Sequence, residues 1–170
     1  MEDRFNQNYF ELFNMEVKTN IDHKNLDQKY NTYQKQFHPD NFVNSTNYEK
    51  KLSLKYISYI NEAYKTLKND YFRGVYLLKL EGHDIQDNSL DNEFLLDQMD
   101  LREKIDEAKK MKDHVKLNKI QSDIVTNRDN CFKEFETLYK SNNYEESAKK
   151  MGEMKFFISI ENDIKNYMDL

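Results

Sequence analysis

The scarcity of helix-breaking residues limits what this chain can fold into. Its 170 residues include three glycines and a single proline, Pro39. An average protein contains about 7% glycine and about 5% proline. Turns and sheet-based folds need these residues far more than helices do. The sequence therefore predicts an all-α protein.

The remaining composition suits a folded helical chain. Apolar residues make up 38% of the sequence and charged residues 34%, which is typical of thin helical bundles whose outer faces are hydrated. The 12 tyrosines and 11 phenylalanines can still form sizeable cores, because each aromatic ring buries a large area. We therefore expect ordered domains and no extensive disorder.

Charge and hydropathy bear on the classes of partner and on location. The net charge is −5 and neither half of the chain is basic, so we expect no nucleic-acid partner. The N-terminal MEDRFNQNYF lacks a basic region followed by an apolar run, and no stretch approaches the ~18 successive apolar residues of a membrane span. We expect no membrane partner and a cytoplasmic location.

Capping signals and apolar periodicity divide the chain into helices. Asn8 and Glu11, Thr46 and Glu49, and likewise Asn143 and Glu146, have the spacing of a capping box, and Asp22 and Asn92 are further candidate caps. The predicted helices cover residues 8–14, 23–37, 47–68, 71–80, 93–110, 114–140 and 144–168.

A polar segment divides these helices into two groups. Residues 81–92, EGHDIQDNSLDN, are rich in Asp and Asn and contain a glycine, which is typical of a linker. The sequence predicts an N-terminal domain over residues 1–80 and a C-terminal three-helix domain over residues 93–170.

Two of the N-terminal helices are predicted to form an antiparallel hairpin. Each carries an apolar stripe at spacings of three and four residues, and a short loop joins them. The stripes are formed by Leu26, Tyr30, Tyr33 and Phe37 in the first helix and by Leu52, Tyr56, Tyr59, Ala63 and Leu67 in the second.

The connecting loop begins with the tripeptide His38-Pro39-Asp40. Pro39 disfavours helical geometry at His38, so the helix should end there and expose the loop. Asp40 is then an acceptor suited to a cationic partner. A simple helix stop followed by ordinary turn residues is the alternative interpretation.

The surroundings of this tripeptide resemble a J domain. NYFELF (residues 8–13) precedes a basic helix and the HPD loop, and INEAYKTL (residues 60–67) follows in the second helix. In that family the HPD loop and basic helix dock on a DnaK-class chaperone and accelerate its ATP hydrolysis. The resemblance implies this role for His38, Pro39 and Asp40, with Lys29 and Lys35 as docking charges. Either lysine could equally be ordinary solvated surface, because exposed ion pairs contribute only ~0–1 kcal/mol.

Further motifs resemble the HscB family of J-domain co-chaperones. They are RGVYLL (residues 73–78) and FLLDQMDLRE (residues 94–103), and the likeness thins beyond residue 110. Where the family often has Gly and Lys, this chain has Asn14 and Asn41; asparagine still tolerates a left-handed helix end. The resemblance implies a C-terminal bundle that binds the scaffold on which iron–sulfur clusters are built.

The helix beginning near residue 93 has two distinct faces. At 100° per residue its core stripe is formed by Phe94, Leu101, Ile105 and Ala108. The opposite face is apolar at its start and acidic at its end, which suits a partner with an apolar anchor and basic residues. That face consists of Leu96, Met99, Asp100, Glu103 and Glu107, with Leu95 at its margin. The alternative is that another helix of the bundle, or the J domain, covers Leu96 and Met99.

The HscB resemblance implies which residues contact the scaffold. They are Leu95, Leu96, Met99, Asp100, Glu103 and Glu107, together with an aromatic residue that matches Phe156.

Catalytic chemistry has little support in the sequence. The four histidines are dispersed, Cys131 is the only cysteine and is expected to be a buried free thiol, and no glycine-rich phosphate loop is present. We expect no enzyme activity of its own, no metal and no cofactor.

Two other functions remain as alternatives. The protein could serve the general chaperone with a different client, or it could be a helical adaptor that never contacts an ATPase. The HPD loop argues against the adaptor, and the acidic–apolar face argues against a different client.

Overall fold

The computed structural model describes residues 7–85 and 90–168. Within these residues there are seven α-helices and no strand, which confirms the predicted all-α fold. The helices are α1 (Tyr9–Leu12), α2 (His23–Phe37), α3 (Asn47–Lys68), α4 (Asp70–Leu80), α5 (Asn92–Lys110), α6 (His114–Lys140) and α7 (Tyr144–Met168).

The helix starts follow from side-chain caps. Asn8 and Thr46 each form a full capping box with the glutamate three residues later, and Asp22 accepts a hydrogen bond from the backbone of Asn25. At α5 the prediction of Asn92 as the cap is wrong. Asp91 occupies the cap position and Asn92 is already helical, although the Asp91 side chain makes no capping hydrogen bond.

The chain divides into two compact units, Met1–Leu77 and Leu78–Leu170. The predicted organisation into a J domain over residues 1–80, a linker over 81–92 and a C-terminal domain over 93–170 stays a prediction. Part of that linker, residues 86–89, lies outside the described residues.

In the first unit α2 and α3 pack side by side over an apolar core. Both predicted stripes contribute to it, through Leu26 and Phe37 from α2 and Tyr56, Ala63 and Leu67 from α3. Tyrosines that are only half-buried use their hydroxyl groups to connect elements. Tyr33, for example, donates to the Leu12 carbonyl at the end of α1 (2.9 Å). The turn that follows α1 contains Asn14, which adopts the predicted left-handed backbone conformation (φ 48°).

In the second unit α6 and α7 lie along each other, and α5 packs against both. Its core is largely aliphatic and sulfur-containing, with Phe135 and Phe157 as the buried rings. The other buried apolar residues of the three helices are Ile105, Ala108, Leu117, Ile124, Cys131, Ala148, Met151, Met154, Ile160 and Ile164.

Cys131 is a buried free thiol, as predicted. Burial raises its pKa to about 12, so the sulfur stays protonated at neutral pH. Among the described residues no helix is long and apolar enough to cross a membrane.

Candidate functional site

The HPD segment forms a tight turn between α2 and α3. Helix α2 ends at Phe37, and His38 leaves helical geometry (φ −57°, ψ 135°) immediately before the proline, as predicted. Residues Pro39–Phe42 then form a single turn of 3-10 helix, which the sequence analysis did not predict. The available signal was Pro39 itself, because proline is well suited to the first position of a helical turn.

The His38 side chain caps this turn. Its Nδ1 accepts a hydrogen bond from the backbone N–H of Asp40 (3.3 Å). The Asp40 carboxylate lies 3.4 Å from the same nitrogen, within ion-pair distance of a protonated imidazole. Asp40 is 85% exposed in its side chain and presents its carboxylate to solvent. His38 thus orients the turn while Asp40 is left available to a partner.

Two further side chains anchor the turn by bonding to the last carbonyl groups of α2. The Asn41 side-chain amide donates to the Lys35 carbonyl (2.7 Å), and the buried Ser53 hydroxyl on α3 donates to the Phe37 carbonyl (2.9 Å). These carbonyls have no partner within the helix, so both bonds satisfy groups that would otherwise need water. Asn41, which departs from the family's common lysine, therefore has a local structural role through its amide.

The two lysines predicted as docking charges differ in the structure. Lys35 is exposed in the last turn of α2 and makes no ion pair with any residue that the structure describes. The Lys29 ammonium instead donates to the carbonyl of Asn14 (2.8 Å), which tethers α2 to the left-handed turn after α1. Lys35 is therefore available for docking, whereas Lys29 already has a bond within the unit.

The second candidate surface is the outer face of α5. Leu96 and Met99 are 63% and 62% exposed and Leu95 is 36% exposed, while Asp100 and Glu103 beside them are also exposed. No described residue of the second unit covers Leu96 or Met99, so the two side chains are not packed beneath another helix of that unit. On the opposite side Ile105 and Ala108 are buried, as the periodicity predicted.

The acids of this face are not equivalent. The Glu107 carboxylate lies 3.7 Å from the ammonium of Lys116 on α6, an ion pair that partly neutralises it. Asp100 and Glu103 form no ion pair with the described residues. The acids of the face that have no ion pair are therefore the two nearest to Met99.

Phe156 lies on α7, on the side that faces α5. It is half-buried, and its ring meets that of Phe94 edge to face, with the centroids 5.8 Å apart. Phe156 also lines a cleft of about 320 Å³ together with Arg102, Lys155 and Ser159. None of these three polar residues was predicted from the sequence. The sequence does indicate the position of Arg102: at 100° per residue it lies about 80° around the helix from Phe94, between the core stripe and the outer face.

The donor groups of the chain do not assemble into a metal site within residues 7–85 and 90–168. No group of three or more His, Cys, Asp or Glu side chains there could hold a metal ion. The arrangement supports binding through an exposed turn and an exposed helix face.

Comparison with known proteins identifies the family. A co-chaperone protein HscB homolog from Neisseria meningitidis serogroup A is 34% identical over 161 residues, which cover 93% of this chain and 97% of that protein. Co-chaperone protein HscB from Buchnera aphidicola is 35% identical over 162 residues, 93% of each chain. The chain belongs to the HscB family. The family model described as the HSCB C-terminal oligomerisation domain matches residues 90–165.

Solved HscB structures share the fold. Chaperone HscB from Vibrio cholerae superposes with a TM-score of 0.88 at 27% identity, covering 96% of this chain and 98% of that one. Human co-chaperone protein HscB gives a TM-score of 0.89 at 30% identity, covering 94% and 81%. The resemblance to the HscB family that the motifs indicated is thus confirmed over nearly the whole chain.

Proposed function

We propose that this HscB-family chain is a co-chaperone that binds an iron–sulfur cluster scaffold protein, delivers it to a DnaK/HscA-class chaperone and stimulates that chaperone's ATPase. The observation that carries the proposal is the anchored HPD turn with its exposed Asp40 carboxylate. The names of the relatives, which are co-chaperones, support it.

The turn is suited to docking because its shape is set before the partner arrives. His38 caps the 3-10 turn, and Asn41 and Ser53 bond to the end of α2. A pre-organised loop loses little conformational entropy on binding. In the proposed complex the Asp40 carboxylate accepts hydrogen bonds from a cationic group of the chaperone, and Lys35 adds a long-range attraction to acidic residues around it.

The outer face of α5 is proposed to hold the scaffold. Leu96 and Met99 form its apolar centre, and Asp100 and Glu103 give it a negative margin. An exposed apolar patch with a charged rim is the usual composition of a binding surface. Leu95, Glu107 and Phe156 complete the proposed scaffold interface.

Two sites on one chain would work by raising local concentration. We propose that residues 1–80 act as the J domain and residues 93–170 as the scaffold-binding domain, joined by residues 81–92. A scaffold held by one domain is then concentrated at a chaperone held by the other, without any new contact. The energy comes from ATP bound to the chaperone, so the chain needs neither enzyme activity nor a cofactor of its own. We place it in the cytoplasm, with no nucleic-acid or membrane partner.

The proposed stimulation of the chaperone is tested by measuring the steady-state ATPase rate of a purified DnaK/HscA-class chaperone as increasing amounts of the full chain are added. We expect the parent to accelerate hydrolysis and Asp40→Asn to abolish the acceleration, with stability unchanged within about 0.5 kcal/mol. Asp84→Asn, which removes another exposed carboxylate, is the matched control and should behave as the parent. Full stimulation by Asp40→Asn would contradict the J-domain role.

The proposed binding of the scaffold protein is tested separately, by titrating the full chain with a purified iron–sulfur scaffold protein. Binding is expected, and it should be independent of Asp40. A chain that stimulates the general chaperone but does not bind the scaffold would favour the alternative, a J protein that serves another client.

A further inference from the structure

Arg102 occupies a distinctive position between α5 and α7. It lies one helical turn after Met99, between the outer face and the core stripe of α5. Its side chain lines the cleft that contains Lys155, Phe156 and Ser159. It also lines the adjoining cleft of about 330 Å³ between the same two helices. Arg102 is therefore next to the proposed scaffold interface.

Arg102 makes no ion pair within the part of the chain that the structure describes. The other arginines there, Arg73 and Arg128, each bind a carboxylate at 2.5–2.6 Å. Arg102 forms neither an ion pair nor a hydrogen bond with any described residue. Two carboxylates line the adjoining cleft with Arg102: Asp163 is bound to the Lys109 ammonium at 2.6 Å, and Asp106 forms no ion pair with Arg102.

We propose that Arg102 binds a carboxylate side chain of the scaffold protein in the cleft beside Phe156. The inference rests on the proposed function, because it takes the scaffold as the partner. A guanidinium group presents a planar fork of N–H donors that matches a carboxylate with two parallel hydrogen bonds. The Phe156 ring forms an apolar wall of the cleft and would reduce the contact of that ion pair with water.

This contact would fix the orientation in which the scaffold protein binds the outer face of α5. The acidic margin of the outer face, with Asp100 and Glu103, calls for basic residues on the partner. Arg102 requires one acidic residue on the partner, at a defined position among those basic residues. A partner with basic residues alone would be repelled at the cleft, so opposite charges side by side favour one orientation and disfavour others.

The experiment measures binding of the purified, cluster-free scaffold protein to the full chain by titration calorimetry. We compare the parent with Arg102→Gln and Arg102→Lys, and use Lys119→Gln on α6 as the control that removes one exposed positive charge elsewhere in the same unit. We expect Arg102→Gln to weaken binding at least tenfold and Lys119→Gln to stay within twofold. Arg102→Lys should recover only part of the loss, because an ammonium group lacks the planar fork.

A charge exchange makes the test independent of folding effects. Arg102→Glu should weaken binding further than Arg102→Gln. A scaffold variant in which the acidic residue that pairs with Arg102 is replaced by Lys should bind the Arg102→Glu chain well again. The same scaffold variant should bind the parent chain more weakly. If the parent binds the scaffold and both Arg102→Gln and Arg102→Glu bind equally well, the inference is overturned and the proposed function stands. If the parent does not bind the scaffold, both are overturned.

Discussion

The HPD turn and the outer face of α5 hold their exposed residues in place in different ways. The turn is irregular backbone, and three side chains bond to it: His38, Asn41 and Ser53. The face of α5 needs no such anchors, because the helix orients Leu96 and Met99 outward while Ile105 is buried on the other side. A binding loop depends on specific anchoring residues, whereas a binding helix face depends only on periodicity and on the core behind it.

The largest expected effect compares the two sides of α5. Ile105→Ala, at a position only 2% exposed, should lower the free energy of unfolding by about 2–5 kcal/mol, because it leaves a cavity in the core. Replacing both Leu96 and Met99 with Ala should change it by less than about 1 kcal/mol, since neither side chain is buried. Urea denaturation of the full chain measures both. A double variant as unstable as Ile105→Ala would show that the outer face belongs to the core.

The same double variant separates the two surfaces by function. Scaffold binding should weaken at least tenfold, about 1.4 kcal/mol. Stimulation of the chaperone ATPase, measured without scaffold, should be unchanged, because the HPD turn is not altered. Asp40→Asn should show the opposite pattern in the same two assays. If either variant impairs scaffold binding and ATPase stimulation equally, the HPD turn and the outer face of α5 are not separate binding surfaces.

A smaller effect is expected at an anchor of the turn. Ser53→Ala removes the buried hydroxyl that donates to the Phe37 carbonyl and should lower stability by about 1 kcal/mol. ATPase stimulation should fall with it, because the end of α2 is less firmly held. Ser58→Ala, at an exposed position on the same helix, is the control. If Ser53→Ala behaves like Ser58→Ala in thermal unfolding and in stimulation, the turn does not depend on this anchor.

The smallest effects concern the acidic margin of the α5 face. Glu103→Gln should weaken scaffold binding about two- to threefold at low salt and less at high salt, because screening reduces the attraction between exposed charges. Glu107→Gln should have a smaller effect, since that carboxylate already faces Lys116 at 3.7 Å. Affinities at two salt concentrations measure both. An equal loss for the two variants, independent of salt, would contradict this ranking.

Much of the fold could be predicted because its signals are local. The capping boxes at Asn8 and Thr46 and the periodic apolar stripes mark helix starts and buried faces within a few residues of sequence. The end of α2 follows from Pro39 alone. The periodicity of α7 was less informative, because that helix is apolar on more than one side. Within it Ala148 and Met151 are buried, whereas Ile158 is only half-buried.

The contacts that distinguish similar residues could not be predicted. Lys29 and Lys35 lie six positions apart on one helix, yet only Lys29 reaches the carbonyl of Asn14, 15 residues away in sequence. The bond from Ser53 to Phe37 likewise spans 16 residues and joins two helices. Such pairs carry no local pattern, because they depend on how helices pack.

The sequence by itself determined the all-α class, the HscB family and the two candidate surfaces, since these follow from composition, motifs and helical periodicity. Only the tertiary structure decided which charged groups are available. It pairs Glu107 with Lys116 and leaves the guanidinium of Arg102 without an ion pair among the described residues, in a cleft between α5 and α7. Ion pairs and clefts arise where side chains from distant segments meet, and their distances are set by packing.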